Sequence, residues 1–192
     1  PLSNLDVKLR NEMRTEIGHI QRTLGLTALY VTHDQGEALS IGDAVAVMKD
    51  GKILEMGPPV ELFERPQTVF VADFLGVENI LYGDISKQKS TFICENGIEV
   101  KIPGIENNTE KIRAIGIRSE NISLSPDDPG DAENCYKGVV REYDYQGSRI
   151  LYIVELENSG LTVKVSHSGT YRFSIGQKVM AGWRADQTLP LI

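Results

Sequence analysis

Leu9, Met13, Ile17, Ile20 and Leu24 recur at steps of four, four, three and four, which draws one apolar stripe along a helix. Asp6 stands where an N-cap belongs, and Gly25 where such a helix stops. The next apolar run, "TALYV" at 27–31, does not alternate with polar residues. An unalternating run of that length predicts a strand covered on both faces, as in a parallel sheet. A short helix over Gly36 to Ser40 follows, starting near Asp34. "AVAVMKDGKILEMG" predicts a hairpin with Asp50-Gly51 at its turn, because that dipeptide tolerates the positive φ angles of a two-residue connection. Pro58-Pro59 opens a short helix, "VELFERP", and "TVFVADFLG" predicts another that Gly76 closes. The chain up to Gly76 therefore reads as α/β.

After Gly76 the pattern changes. Short β-type runs succeed one another: "NILYGDIS", "TFICENGIEVKI", "IRAIGIRS", "ISLSP", "YKGVVREYD", "RILYIVELE", "LTVKVSH", "QKVMAGW" and "TLPLI". Gly, Asn, Asp and Pro separate them, as in a small sandwich or barrel. A faint internal echo runs through this part. "LYGDIS", a strand, Asn96-Gly97 and another strand resemble "YKGVVR", a strand, Ser159-Gly160 and another strand.

The chain has 192 residues, 41% hydrophobic and 24% charged, which suits one large or two small soluble domains. No apolar stretch approaches the ~20 residues that cross a bilayer, and the N-terminus carries no signal-peptide pattern. A link to a membrane would then run through a protein partner. The net charge is −7, and both parts are acidic: 7 basic and 10 acidic residues up to Ala72, 13 and 17 beyond it. Non-specific nucleic-acid binding depends on phosphate neutralisation by Lys and Arg, so this charge disfavours it. Cys94 and Cys135 are far apart in sequence and lack CxxC spacing, which predicts two free thiols.

"PLSNLD" (1–6) alone is a helix N-cap, and "VTHD" (31–34) alone is a histidine at a strand end, where a structural role is the rule. Together they form an ordered set: a short loop, an amphipathic helix, an apolar strand ending in His33, then "DQGEAL" and an Asp-Gly hairpin. That set resembles the C-terminal part of an ABC-transporter ATPase subunit. Ser3, Asn4, Leu5 and Asp6 match the family's D-loop, commonly Ser-Ala-Leu-Asp, and His33 matches its switch histidine. "THDQGEAL" and the block "VMKDGKILEMGPPVELFERPQTVFVADFLG" follow the family closely, so the resemblance runs from Pro1 to about Leu81. The β-rich remainder resembles the appended TOBE region, an OB-like regulatory domain. "GIRSENISLSP" is similar to its Gly-Ile-Arg-Pro-Glu-x-Ile segment, with Ser119 where Pro is usual.

The resemblance implies an α/β C-terminal piece of a P-loop NTPase domain over residues 1–76, followed by an all-β OB-like (TOBE) barrel domain over 77–192. It implies that His33 meets the γ-phosphate of ATP and the attacking water, where a positioned N–H stabilises developing charge. Ser3, Asn4, Leu5 and Asp6 would cross the dimer interface, while Gln35 and Glu37 read as fold residues. No GxxxxGK[ST] loop occurs in the chain. The signature segment, the glutamine loop, the magnesium-binding acidic strand and the catalytic Glu expected just before Pro1 are also absent. The expectation is therefore a portion of an ATP-hydrolysing importer subunit, inactive by itself. ATP and Mg2+ would belong to the full-length subunit, and no residue is assigned as a metal ligand. The implied partners are a second copy of the subunit (a homodimer) and transmembrane permease subunits, at the cytoplasmic face of the cell membrane. Without neighbouring strands, residues 27–31 would leave an apolar edge that invites pairing.

A competing expectation is a non-enzymatic regulatory module that binds a small oxyanion through residues 77–192; a third, an OB-fold nucleic-acid binder, is disfavoured by charge. His19 lies off the apolar stripe and reads as solvent-facing, Ser166-His167-Ser168 as a polar turn, and Tyr143, Tyr145 and Tyr152 as barrel packing.

Overall fold

A computed structural model describes residues 7–86, 90–104, 109–127, 130–169 and 172–192. The chain divides into two compact units, Pro1–Arg65 and Pro66–Ile192. Packing thus separates the units at Arg65, whereas the change of sequence texture falls at residue 76.

In the first unit, helix α1 spans Val7–Leu24. It ends in a Schellman motif: Gly25 takes φ +61, its N–H donates to the Arg22 carbonyl, and the Leu26 N–H reaches back to the Gln21 carbonyl. Helix α2 spans Gln35–Ile41, strands β1 and β2 are Val45–Lys49 and Lys52–Gly57, and helix α3 is Pro59–Glu64. β1 and β2 pair antiparallel around Asp50 (φ 50) and Gly51 (φ 75), as the dipeptide predicts.

The predicted strand at 27–31 does not form. These residues join no sheet among those described, and Leu29 and Val31 are 93% and 86% exposed. A strand is a property of a pair, and no described strand lies beside this run to satisfy its backbone groups. The α1 stripe is likewise uncovered, with Met13, Ile20 and Leu24 exposed. Among the described residues of this unit, only Gly18, Glu37, Val47 and Leu62 are buried. His19 is solvent-facing.

The second unit opens with helix α4, Val69–Phe74, whose N-cap Thr68 accepts a hydrogen bond from the Val71 N–H. Ten strands follow among the described residues: β3 Asn79–Ile85, β4 Thr91–Cys94, β5 Glu99–Lys101, β6 Ala114–Ile117, β7 Ser123–Ser125, β8 Asn134–Tyr145, β9 Ile150–Leu156, β10 Thr162–His167, β11 Lys178–Trp183 and β12 Thr188–Leu191. They form two five-stranded sheets, ordered β12-β6-β3-β4-β5 and β10-β9-β8-β11-β7, antiparallel throughout. Every β-type run of the sequence is thus part of a strand; β9 buries alternate residues, whereas β6 is buried at all four of its positions. Phe92, Ile115, Ile117, Val140, Tyr152, Val154, Leu156 and Trp183 fill one continuous core. The Trp183 indole N–H donates to the buried Thr188 hydroxyl, so the largest side chain leaves no polar atom stranded.

Two buried asparagines tie the sheets. From β3, Asn79 donates to the carbonyls of Ile117 and Lys164 and accepts from the Lys164 N–H at 2.6 Å. From β8, Asn134 accepts from the Lys101 N–H at 2.7 Å and donates to its carbonyl at 2.9 Å. Each supplies a side-chain amide to the backbone of a strand in the opposite sheet. The C-terminal residue closes the unit: the Ile192 N–H donates to the Gln67 carbonyl, and its own carbonyl accepts from the Val69 N–H.

Candidate functional site

The segment "YVTHDQGEAL" is organised around one carboxylate. Asp34 has extended backbone and caps α2, its Oδ1 accepting from the Glu37 N–H at 2.9 Å. The usual reciprocal bond of a capping box is replaced here. The Asp34 N–H donates to Thr32 Oγ1 at 3.0 Å, and that hydroxyl donates onward to Glu37 Oε2 at 2.6 Å. Tyr30 Oη donates to the same oxygen at 3.1 Å. The Glu37 side chain is buried, and its carbonyl accepts from Ser40 Oγ.

His33 therefore sits between two anchored neighbours, Thr32 and Asp34, while its own side chain is exposed. The backbone around it is fixed by hydrogen bonds that do not use the imidazole. Such a ring is free to meet a group outside the described chain. Glu37 behaves as the fold residue the sequence suggested. Gln35 is exposed and makes no such link. The predicted Ser3, Asn4, Leu5 and Asp6 lie outside the described residues.

The three tyrosines separate into two environments. Tyr152 is 1% exposed, contacts the rings of Tyr143, His167 and Phe173, and its hydroxyl accepts from the Phe173 N–H. Tyr143 and Tyr145 are instead exposed at 54% and 58%, near the tip of the long β8–β9 hairpin and away from the barrel interior. Neither cysteine forms a disulfide: Cys94 is buried, which pushes its thiol up to about 11, and Cys135 is exposed. Among the described residues no group of His, Cys, Asp and Glu could hold a metal ion, and no helix is long and apolar enough to cross a membrane.

Comparison with known proteins extends this picture. The TOBE domain family matches residues 115–191. The spermidine/putrescine import ATP-binding protein PotA of Trichormus variabilis is 38% identical over 177 residues, covering 89% of this chain and 46% of that protein. The Fe(3+) ions import ATP-binding protein FbpC of Brucella melitensis is 37% identical over 165 residues, covering 85% and 45%. PotA of Thermobifida fusca is 34% identical across all of this chain and 51% of its own. The chain spans about half the length of the curated relatives it matches. A solved structure of the cytoplasmic molybdate-binding protein ModG, with molybdate bound, has a TM-score of 0.48 at 14% identity, over 60% of this chain and 97% of that one.

Proposed function

Because the chain belongs to the family of ATP-binding subunits of prokaryotic ABC-type importers, we propose that it forms the C-terminal portion of a subunit that couples ATP binding and hydrolysis to substrate uptake. One observation carries the reading: similarity covers 89% of the chain, more than the second unit alone can supply, so it extends into the segment that holds His33. A free-standing regulatory module would need no such segment. The competing oxyanion-module reading is for that reason not favoured.

In this reading His33 donates to the γ-phosphate and orients the attacking water, and Glu37 holds the loop that carries it. ATP and Mg2+ bind in the full-length subunit, with His33 one of the groups that meet the nucleotide. Ser3 to Asp6 face a second copy across the nucleotide sandwich, and permease subunits take up the closing motion at the cytoplasmic face of the membrane. Residues 77–192 support the pairing of subunits and the sensing of small ligands. Relatives named for spermidine/putrescine and for ferric-iron import favour a cationic cargo.

The test is ATP turnover by the full-length subunit carrying this sequence. His33→Ala is expected to lower turnover by about a hundredfold or more, in line with the loss of one charge-stabilising donor, while ATP still binds. The isolated 192-residue chain is expected to show no turnover. Full turnover in His33→Ala would remove His33 from the chemistry.

A further inference from the structure

Glu37 is buried in a unit that buries almost nothing. Its buried companions among the described residues there are Gly18, Val47 and Leu62, and the nearby Leu29 and Val31 are exposed. Apolar packing therefore does not enclose this carboxylate. A buried carboxylate must be met by hydrogen-bond donors or lose its charge, and the donors here come from the loop that carries His33.

Thr32, Asp34 and Glu37 close a ring of hydrogen bonds. Thr32 Oγ1 donates to Glu37 Oε2 at 2.6 Å, the Glu37 N–H donates to Asp34 Oδ1 at 2.9 Å, and the Asp34 N–H donates to Thr32 Oγ1 at 3.0 Å. His33 lies between Thr32 and Asp34, at a bend in the chain, and its imidazole is no member of the ring. Both neighbours are half-buried while His33 itself is exposed. The ring thus fixes the chain on either side of His33 and, with it, the direction in which the imidazole leaves. Tyr30 Oη adds a second donor to Glu37 Oε2 at 3.1 Å, outside the ring.

The ring makes unequal demands on its members. Asp34 and Glu37 each offer a carboxylate oxygen as an acceptor and a backbone N–H as a donor or a covalent link to one. Thr32 must do two things with one side-chain atom: accept from the Asp34 amide and donate to the Glu37 carboxylate. A hydroxyl meets both demands. Valine has nearly the same shape and meets neither, so it would remove one acceptor from Asp34 and one donor from Glu37 at once.

We propose that Thr32 is a positioning residue for His33, its hydroxyl acting as the relay that aims the imidazole. The proposal rests on the reading of His33 as the group that meets the γ-phosphate. A donor that stabilises charge in a transition state is effective when it is aimed before the reaction starts, and a displacement of about 1 Å can cost about a hundredfold in rate. Thr32 touches neither the nucleotide nor the attacking water in this role; it acts through His33.

The test is steady-state ATP hydrolysis by the full-length subunit carrying this sequence, with kcat and KM read separately. Thr32→Val is expected to lower kcat about tenfold and leave KM for ATP within about twofold, the pattern of an interaction realised in the transition state. Thr32→Ser keeps the hydroxyl and should hold kcat within about twofold of wild type. Tyr30→Phe should cost less than Thr32→Val, about two- to threefold, because the ring survives it. The double variant His33→Ala/Thr32→Val should be no slower than His33→Ala alone, since a residue that acts through the imidazole has nothing to add once it is gone. Wild-type kcat in Thr32→Val beside an impaired His33→Ala would overturn the relay and leave the reading of His33 standing. Full turnover in His33→Ala would remove both. A tenfold loss in Thr32→Ser, which needs no folded Thr32→Val to be measured, or losses that multiply in the double variant, would also overturn the relay.

Discussion

Residues 79–125 and 134–191 build the same five-strand pattern twice, and the two copies differ most where each meets something outside itself. β3 and β8 both begin with a buried asparagine and carry glycine four residues on, at Gly83 and Gly138. β6 and β11 both run into an arginine, Arg118 and Arg184, then a short 3-10 turn and a short strand. If β3 to β7 are matched to β8 to β12, one sheet order becomes the other, with β7 and β12 exchanged between the sheets. The asparagines kept one task in both halves, whereas the arginines took different ones. Arg118 is buried and its Nη1 donates to the Leu75 carbonyl behind α4, while Arg184 is exposed and held by Asp186. The hairpins diverged as well: β8 has 12 residues against 7 in β3, and the tip of the longer one walls a cleft with the residues after β10. Repetition fixes what the core requires, and divergence marks the surfaces each half offers to a neighbour.

The glycines should break the equivalence most strongly. A Cβ on Gly83 would fall 2.1 Å from the Ile93 carbonyl oxygen and 2.8 Å from the Cys94 Cα, both backbone atoms. On Gly138 it would meet Val154 Cγ1 at 2.7 Å and the Glu155 carbonyl oxygen at 2.9 Å, a side-chain contact and a looser backbone one. Gly83→Ala is expected to destabilise by about 3 kcal/mol and Gly138→Ala by about 1–2 kcal/mol, read as urea midpoints with unchanged slope. The reverse order would show that the second half, and not the first, has the tighter crossing.

The asparagines should preserve the equivalence. Asn79→Ala and Asn134→Ala each strand backbone groups of the opposite sheet and should cost about 2 kcal/mol apiece. Because the clamps bind different strands, their losses should add to within about 0.5 kcal/mol in the double variant. A shortfall above about 1 kcal/mol would mean that the sheets separate as one event once either clamp is lost.

Arg118 and Arg184 should differ again, by less. Arg118→Met removes the donor from the Leu75 carbonyl and is expected to cost about 1–2 kcal/mol, with faster amide exchange confined to α4. Burial holds the Arg118 guanidinium somewhat below its ordinary pKa, partly offset by Glu120 and Glu78, and the group stays charged across the accessible pH range. Arg184→Met should leave the midpoint indistinguishable from wild type.

Much of this fold was legible in the sequence, and what was hidden had a common cause. The strands of the second unit showed themselves as short β-type runs set apart by Gly, Asn, Asp and Pro. The Asp50-Gly51 hairpin was legible because its positive φ angles restrict residue choice. "TALYV" announced burial but not what would bury it, and it joins no sheet among the described residues, with Leu29 and Val31 exposed. The echo between the halves was visible, but the exchange of β7 and β12 was not, since pairing across the unit leaves no local mark. At the site, the helix start near Asp34 was legible, yet the engagement of Glu37 by Thr32 and Tyr30 depends on how the loop closes. The cleft was the least legible feature. His167 drew notice through its flanking serines, but the register of β9 on β10 is what brings it beside Arg149.

The smallest expected effect compares two surface ion pairs of the second half, Glu155 with Arg141 and Asp186 with Arg184. Hydrogen bonds from the arginines, then their charge, hold both carboxyls below their ordinary range. A carboxyl whose pKa is lowered by folding adds stability above its unfolded pKa and loses it as pH falls through the folded value. Acid should therefore erode both contributions, below about pH 4. The four side chains are solvent-exposed, so the effect should be slight and salt should screen it. Thermal midpoints at about pH 6 and about pH 3 should show a shallower acid loss in Glu155→Gln and Asp186→Asn than in wild type at low salt, and no difference near 1 M salt. A difference that persisted at high salt for Glu155 alone would set the β8–β9 hairpin apart from the turn between β11 and β12. The β8–β9 hairpin would then be stiffened by a pair that water does not reach in solution, and the cleft at its tip would be held on a rigid arm.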